Sequence, residues 1–248
     1  MIIIKVNKVI SKNQIKFIKS LSLKKNRVKA QLFIAEGEKI VNELLNSNFE
    51  IEHIYATKQF SGINRCQKSA ITLITNDELL RISNLTSPNN VLAIVKISQK
   101  ESEKSGGIKL VLDDVNDPGN FGTIIRMCDW FGVTQIICSK STVDCYNPKV
   151  VQSAMGSLFR LDIKYLDLTT YLANIDTPVY GAYMNGVDVK EQELPKQLHL
   201  IMGNEANGIS ESISKYITNK VSVKNIGKNA ESLNVAIATS ILLHEFCS

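Results

Sequence analysis

The sequence predicts an α/β protein in two parts, a small α/β domain followed by a larger layer fold on a mostly parallel sheet. Three observations carry that expectation. Beyond residue 107, strand-like and helix-like stretches alternate to the end of the chain, the pattern of a sheet whose strands are joined by helical crossovers. The tract at 98–107 is polar, charged and glycine-ended, with nothing to bury, and reads as a linker. The residues before it carry helix and strand periodicities of their own. The expected parts are therefore 1–97, a linker at 98–107, and 108–248.

In the first part, Ser11 and Gln14 form a capping box, and Ile15, Ile18 and Leu21 continue one apolar helical face. Leu32 to Gly37 leads into a second helical pattern at Ile40, Val41, Leu44 and Leu45, followed by a strand at Ile51–Tyr55. A second capping box, Thr75 with Glu78, opens a short helix through Leu79, Leu80 and Ile82. After the break at Ser87–Asn90, the β-branched run Val91–Ile97 is a strand. The charge here is one-sided: residues 1–30 hold nine Lys/Arg, at 5, 8, 12, 16, 19, 24, 25, 27 and 29, and no acidic residue. Such a run is often only a solvated face, yet a window wholly without carboxylates suits phosphate contact. Lys16, Lys19, Lys24, Lys25 and Arg27 are the candidate residues for binding a phosphate backbone.

The second part reads as a strand at Leu110–Val115, a helix to Phe131, a strand at Gln135–Cys138, a helix at Pro148–Phe159 and a strand at Asp162–Tyr165. A weak helix around Tyr171, strands at Val179–Tyr183, Leu198–Met202 and Val221–Val223, and a last helix from Ser232 to Phe246 complete it. Its organising stretch is Leu110–Val133. Asp117-Pro118-Gly119-Asn120 is turn chemistry, helical spacing starts at Thr123, and Gly119 and Gly122 allow close approach to the main chain. A strand–loop–helix junction aims backbone N–H groups and the positive helix end at the loop, and Asn120 and Arg126 add an amide and a permanent cation. The arrangement suits a phosphate or ribose. Taken alone it equally suits an ordinary connection with a surface arginine.

Two later segments join it. Leu200–Ile209, which reads Leu-Ile-Met-Gly-Asn-Glu-Ala-Asn-Gly-Ile, and Ser232–Ser240, which reads Ser-Leu-Asn-Val-Ala-Ile-Ala-Thr-Ser, follow in order. With the first stretch they resemble the three signatures of the SpoU (TrmH-like) RNA ribose 2′-O-methyltransferases of the SPOUT superfamily, and Lys16–Tyr55 more loosely resembles the substrate-binding domain that many of them carry. That resemblance implies several things the residues alone do not. The fold would be a SPOUT methyltransferase fold with a trefoil knot, which physical reasoning alone would not propose. The activity would be S-adenosylmethionine-dependent methylation of a ribose in structured RNA, ribosomal RNA ahead of transfer RNA. The catalytic positions fall on Asn120, Arg126, Glu205, Ser232 and Asn234, and the cofactor pocket on Ala182, Met202, Gly203, Val223, Ser232 and Leu233. A homodimer through the knotted domain is implied as well. Two departures stand out: Gln152 where relatives often carry arginine, and Glu231 before the third signature.

Ser232 also reads as an N-cap of the last helix and Asn234 as a first-turn residue. A guanidinium stays protonated, so Arg126 is expected to position and stabilise rather than act as a base, and Glu205 to orient. Other classes fare worse. A dinucleotide-dependent oxidoreductase would need a Gly-x-Gly-x-x-Gly strand-to-helix turn, which is missing. A non-catalytic RNA-binding or ribosome-assembly protein would be expected to show a broken signature, and none is broken. Composition, 44% hydrophobic and 21% charged, is that of a globular protein. Its apolar runs fall short of the roughly 18 residues a membrane span needs, and Met1–Lys5 is too short for a signal-peptide core, so a cytoplasmic location is expected. The cysteines at 66, 128, 138, 145 and 247 and the histidines at 53, 199 and 244 show no metal-ligand spacing, so neither disulfide nor metal is expected.

Overall fold

The computed structural model describes residues 4–5, 10–66, 70–97, 106–227, 229 and 231–247. Most of the expected linker, together with Lys8, lies outside the described residues. The chain forms two compact units, residues 1–100 with 144–159, and residues 101–143 with 160–248.

The first unit holds β1 (Ile4–Lys5), α1 (Lys12–Ser20), α2 (Lys24–Ala30), β2 (Leu32–Glu36), α3 (Glu38–Leu45), β3 (Ile51–Ala56), β4 (Ile71–Leu73), α4 (Asn76–Ile82) and β5 (Val91–Lys96). Its five strands lie in the order β1-β4-β3-β5-β2, with β5 antiparallel to both neighbours. Both expected capping boxes are formed: Ser11 and Gln14 open α1, and Thr75 and Glu78 open α4. They aim the apolar faces inward, where Ile18, Leu21, Leu79 and Ile82 pack with Ile34, Leu92 and Ile94 of the sheet.

On alternate positions of β2, Phe33 turns to the other face, where it meets Phe49 edge-on and Tyr146 at a tilt. Tyr146 belongs to the segment that the sequence reading assigned to the second layer. That segment carries α6 (Pro148–Ala154), which packs on β2, and Phe159, which meets Phe49 edge-on at 5.4 Å. The expected helix to Phe159 breaks early. Met155 and Gly156 both take positive φ, and a Cβ on Gly156 would lie 2.6 Å from the Glu43 side chain.

Arg27 corrects an expectation. It is 1% exposed, donates to the carbonyls of Leu21 and Ser22, and pairs with Asp144 at 2.5 Å. The helix phase of α2 turns this one cation inward, so it ties α2 to the 144–159 segment and is not available to a phosphate.

The second unit contains β6 (Ile108–Leu112), α5 (Pro118–Trp130), β7 (Gln135–Ser139), β8 (Asp162–Leu166), α7 (Leu168–Leu172), β9 (Val179–Asp188), β10 (Leu198–Met202), α8 (Glu211–Ser214), β11 (Asn219–Ser222) and α9 (Val235–Cys247). All six strands are parallel, in the order β11-β9-β10-β6-β7-β8. Leu110–Leu112 of β6 and Leu200–Met202 of β10 are buried on both faces and are continuous apolar runs. One face packs Val111, Ile137, Val179 and Ile201 against Leu168, Leu172 and Ile213 of α7 and α8. On the other, Tyr180 of β9 meets Phe246 of α9 at 5.2 Å, and α9 packs along α5. Residues 182–186 of β9 are extra to its pairing with β11, whose partner jumps from Gly181 to Val187.

His199, the second residue of β10, is 2% exposed, its ring nitrogens bonded to the hydroxyls of Tyr171 and Thr177 at 2.8 and 2.7 Å. Burial, with Lys109 beside it in the register, pushes its pKa down to about 4. The unfolded chain therefore binds a proton between about pH 6.5 and 4 that the folded chain refuses, and stability falls as pH drops through that window. Chemical denaturation at a series of pH values is expected to show an acid-side loss on the order of 3 kcal/mol, flattened in His199→Gln. An unchanged slope in that variant would exclude His199 as its origin.

Candidate active site

Because β6 and β10 run parallel with Leu112 opposite Met202, the loops that follow them leave the same edge of the sheet. Open α/β sheets bind ligands at that carboxyl edge. The first loop is Asp113–Asp117, the second Gly203–Ser210, and the residues leading into α9 form a third.

The α5 helix starts five residues before the expected Thr123. Asp117 is its N-cap, accepting from Asn120 N at 2.7 Å, and Pro118 fits the first helical position. Asn120 is therefore a first-turn residue, and Gly119 and Gly122 lie inside the helix rather than lining an open loop. The last helix starts three residues after the expected Ser232. Its cap is Asn234, whose Oδ1 accepts from Ala236 N at 2.9 Å and Ile237 N at 3.4 Å. Ser232 is exposed in the segment before it.

These two helix starts are joined side chain to side chain. Since Asn234 Oδ1 is taken by the helix, its Nδ2 must donate, and it does so to Asn120 Oδ1 at 2.9 Å. Asn120 then has only its own Nδ2 to give, and this reaches Glu205 Oε1 at 2.9 Å. One residue from each of the three segments thus forms a directed chain, Asn234 to Asn120 to Glu205, with the carboxylate as terminal acceptor. Glu205, expected to orient Arg126 or a substrate hydroxyl, instead holds Asn120. Arg126 lies six residues further along α5, exposed and without a hydrogen bond or ion pair among the described residues.

Two neighbouring carboxylates escaped the sequence reading. Asp113, 6% exposed, accepts from Ser210 N at 2.8 Å, and its own N–H reaches Met202 O at 2.9 Å. Asp114 sits at φ 62, a left-handed conformation its type tolerates, and its carbonyl accepts from Asn204 Nδ2 at 2.7 Å. The Asp-Asp pair closing an apolar strand was the available signal. Together they lock the second loop to the first.

For the cofactor candidates, Met202 is buried at the end of β10 and Gly203 begins the loop. Ala182 follows Gly181, the β9 partner of Ile201, and Val223 follows β11. Leu233 is 49% exposed next to Asn234. No hydrogen bond among the described residues joins Val223 or Leu233 to Gly203. The set offers backbone groups and apolar surface rather than charge, a donor chemistry that fits an adenine and a thioether-like chain. Among the described residues no group of His, Cys, Asp or Glu could hold a metal ion.

A Cβ on Gly203 would lie 2.2 Å from Gly208 C and 2.3 Å from Ile209 N, whereas one on Gly208 meets nothing within 4 Å. Gly203→Ala should therefore cost about 3 kcal/mol in urea unfolding, as overpacking against rigid backbone does. Gly208→Ala should cost only about 1 kcal/mol for its positive φ. Equal costs would show that the loop relaxes freely around residue 203.

Residues 107–244 match the SpoU rRNA Methylase family, and residues 12–93 match the MRM3-like substrate binding domain. The chain is similar to the 23S rRNA (guanosine(2553)-2′-O)-methyltransferase RlmP of Bacillus subtilis, 31% identical over 94% of this chain and 96% of that one. Among solved structures it is similar to the AdoMet-bound rRNA methyltransferase of Sinorhizobium meliloti, with TM-score 0.87 and 27% identity over 98% of this chain and 97% of that one. The SpoU methyltransferase AviRb of Streptomyces viridochromogenes shares the fold, with TM-score 0.84 and 22% identity over 96% and 97%. With the family match spanning more than half its length and a full-length relative at this identity, the chain belongs to the SpoU rRNA Methylase family.

Proposed function

We propose that the protein methylates a ribose 2′-hydroxyl of ribosomal RNA with S-adenosylmethionine as donor. The observation that carries the proposal is the hydrogen-bonded chain Asn234–Asn120–Glu205, which joins the three segments at the carboxyl edge of the sheet. The relatives support the substrate class: the B. subtilis protein and a Streptomyces viridochromogenes relative at 29% identity are both named as 23S rRNA 2′-O-methyltransferases. These names favour ribosomal over transfer RNA.

When bound, S-adenosylmethionine supplies a methyl group activated by a sulfonium. Ala182, Met202, Gly203, Val223, Ser232 and Leu233 would hold it, through backbone groups and apolar contact. Arg126 presents a planar fork suited to a phosphate, which would set the adjoining ribose in line for transfer. It cannot take the hydroxyl proton, and that step falls to the RNA phosphate or to solvent. Asn120, Glu205 and Asn234 keep the loops in register around the reacting oxygen, and Ser232 completes the catalytic set beside the donor.

The assignment of 1–97 as the RNA substrate-binding domain, 98–107 as linker and 108–248 as the catalytic domain belongs to the same proposal, supported by the two family matches. So do the trefoil knot, a cytoplasmic location and a homodimer. For the dimer the support is apolar surface left uncovered in the single chain, with Trp130 at the end of α5 82% exposed and Ile237 of α9 54% exposed. No helix among the described residues is long and apolar enough to cross a membrane.

With labelled S-adenosylmethionine and ribosomal RNA lacking this modification, label is expected on a ribose. Arg126→Ala should abolish transfer, at least a hundredfold loss, while donor affinity stays within about twofold. Label on a base or on the protein would exclude this reaction.

Lys16, Lys24 and Lys25 are exposed on α1 and α2, as is Lys19, which also donates to Ser83 O. Changing Lys16, Lys24 and Lys25 together to Gln should weaken RNA binding and shallow the log K against log salt slope by roughly 2. An unaltered slope would mark that face as merely solvated.

A further inference from the structure

The first unit contains a cleft of about 380 Å³ that plays no part in methyl transfer as derived above. Its walls come from β2 (Ile34, Glu36), the turn after α4 (Asn84, Leu85), Ser22 between α1 and α2, and the start of α6. The volume lies within the roughly 300–1,000 Å³ range of small-ligand sites.

Its chemistry is divided. Half-buried Leu85 and Pro148 supply its apolar surface, over a floor formed by Ile34 and Val151, which are 1% and 2% exposed. Around them stand amides with unspent capacity. The Gln152 side chain makes no hydrogen bond among the described residues, and Asn147 accepts from Lys149 N through Oδ1 and leaves its amino group over. Asn84 gives its amino group to Glu36 Oε1 at 3.1 Å and leaves its carbonyl over. Glu36, 5% exposed, is occupied by Ser83 Oγ and by the backbone and side chain of Asn84. Apolar faces with donors and acceptors at the edge are complementary to a planar base, whose faces stack and whose rim carries mixed donors and acceptors. Ser22 brings this wall into continuity with the lysine-bearing helices α1 and α2, which suit the strand that would carry such a base.

We infer that this cleft receives one unpaired base of the RNA substrate, distinct from the nucleotide that is methylated, and that Gln152 reads its edge. The inference rests on the RNA reading above and deepens it: the substrate must present a single-stranded nucleotide away from the reacting ribose.

The test uses the full chain and fluorescence anisotropy with a labelled mixed-sequence single-stranded RNA, compared with the duplex it forms with its complement. The wild type should favour the single strand. Gln152→Trp, which fills the cleft, should lower single-strand affinity about tenfold, roughly one base contact. It should leave duplex affinity, the salt slope and S-adenosylmethionine affinity unchanged. Gln152→Ala, which leaves the wall packed, should show a smaller loss in the same direction, and thermal melting confirms that both variants fold. Equal affinity of the wild type for the two RNAs, or undiminished single-strand binding by a folded Gln152→Trp, would overturn the inference. Selective binding retained without methyl transfer by the wild type would support the cleft and defeat the catalytic reading, so the two failures are told apart.

Discussion

Parallel pairing of β6 with β10 is the constraint on which the second unit depends. The two strands are 90 positions apart in the chain, yet their register sets Leu110 against Leu200 and Leu112 against Met202. A slip by one residue would exchange Leu110 and Leu112 with Val111 between two close-packed faces, so the fit of differently shaped side chains on each side holds the register. Fixed register puts Asp113 beside the start of the Gly203 loop. Asp113 N–H extends the ladder to Met202 O, and its carboxylate catches Ser210 N. The loop geometry is inherited from the core rather than held by surface contacts.

From this edge the amide chain follows with little freedom. An asparagine amide can be built either way round, but here the helix decides. Capping consumes Asn234 Oδ1, and every later donor and acceptor is then determined. Helix capping and site assembly are one interaction, which is why the structural and catalytic readings of Asn234 do not compete. These bonds tie three segments of the chain together, and in-line transfer between two bound groups requires such positioning.

Much of this was legible in the sequence, and the exceptions have physical causes. Both capping boxes and the alternation of layers follow from periodicity and local hydrogen bonding, which neighbouring residues decide, whereas the strand expected to end at Val115 ends at Leu112 and the one expected to end at Tyr183 runs to Asp188. The start of α5 was misplaced because Asp-Pro-Gly-Asn serves equally as a turn and as an N-cap with proline at the first position, and only the Asp117–Asn120 bond distinguishes them. Arg27 was misread for a different reason. Its neighbours in sequence are lysines, but its partner Asp144 is 117 positions away, and no local pattern announces a long-range buried ion pair. The same long-range packing drew α6 onto β2. Asn120, Glu205 and Asn234 were found through signatures, whereas their connection as a directed chain needed coordinates.

The electrostatics of the site also follow from the backbone. Asn120 lies in the first turn of α5 and Asn234 caps α9, so two helix N-termini, each of a 13-residue helix, converge where Glu205 binds. Unsatisfied N–H groups at helix starts favour negative charge nearby. In the free protein Asp117, the N-cap of α5, and Glu205 supply that charge. An RNA phosphate, or the oxygen losing its proton to become a methyl ether, would experience the same field, and Glu205 held by a neutral amide leaves Arg126 uncommitted. Had the carboxylate paired with the guanidinium, an ion pair would have to break before Arg126 could take the phosphate-binding part proposed for it. The arrangement keeps the cation available and assigns the acid a role in holding the loops.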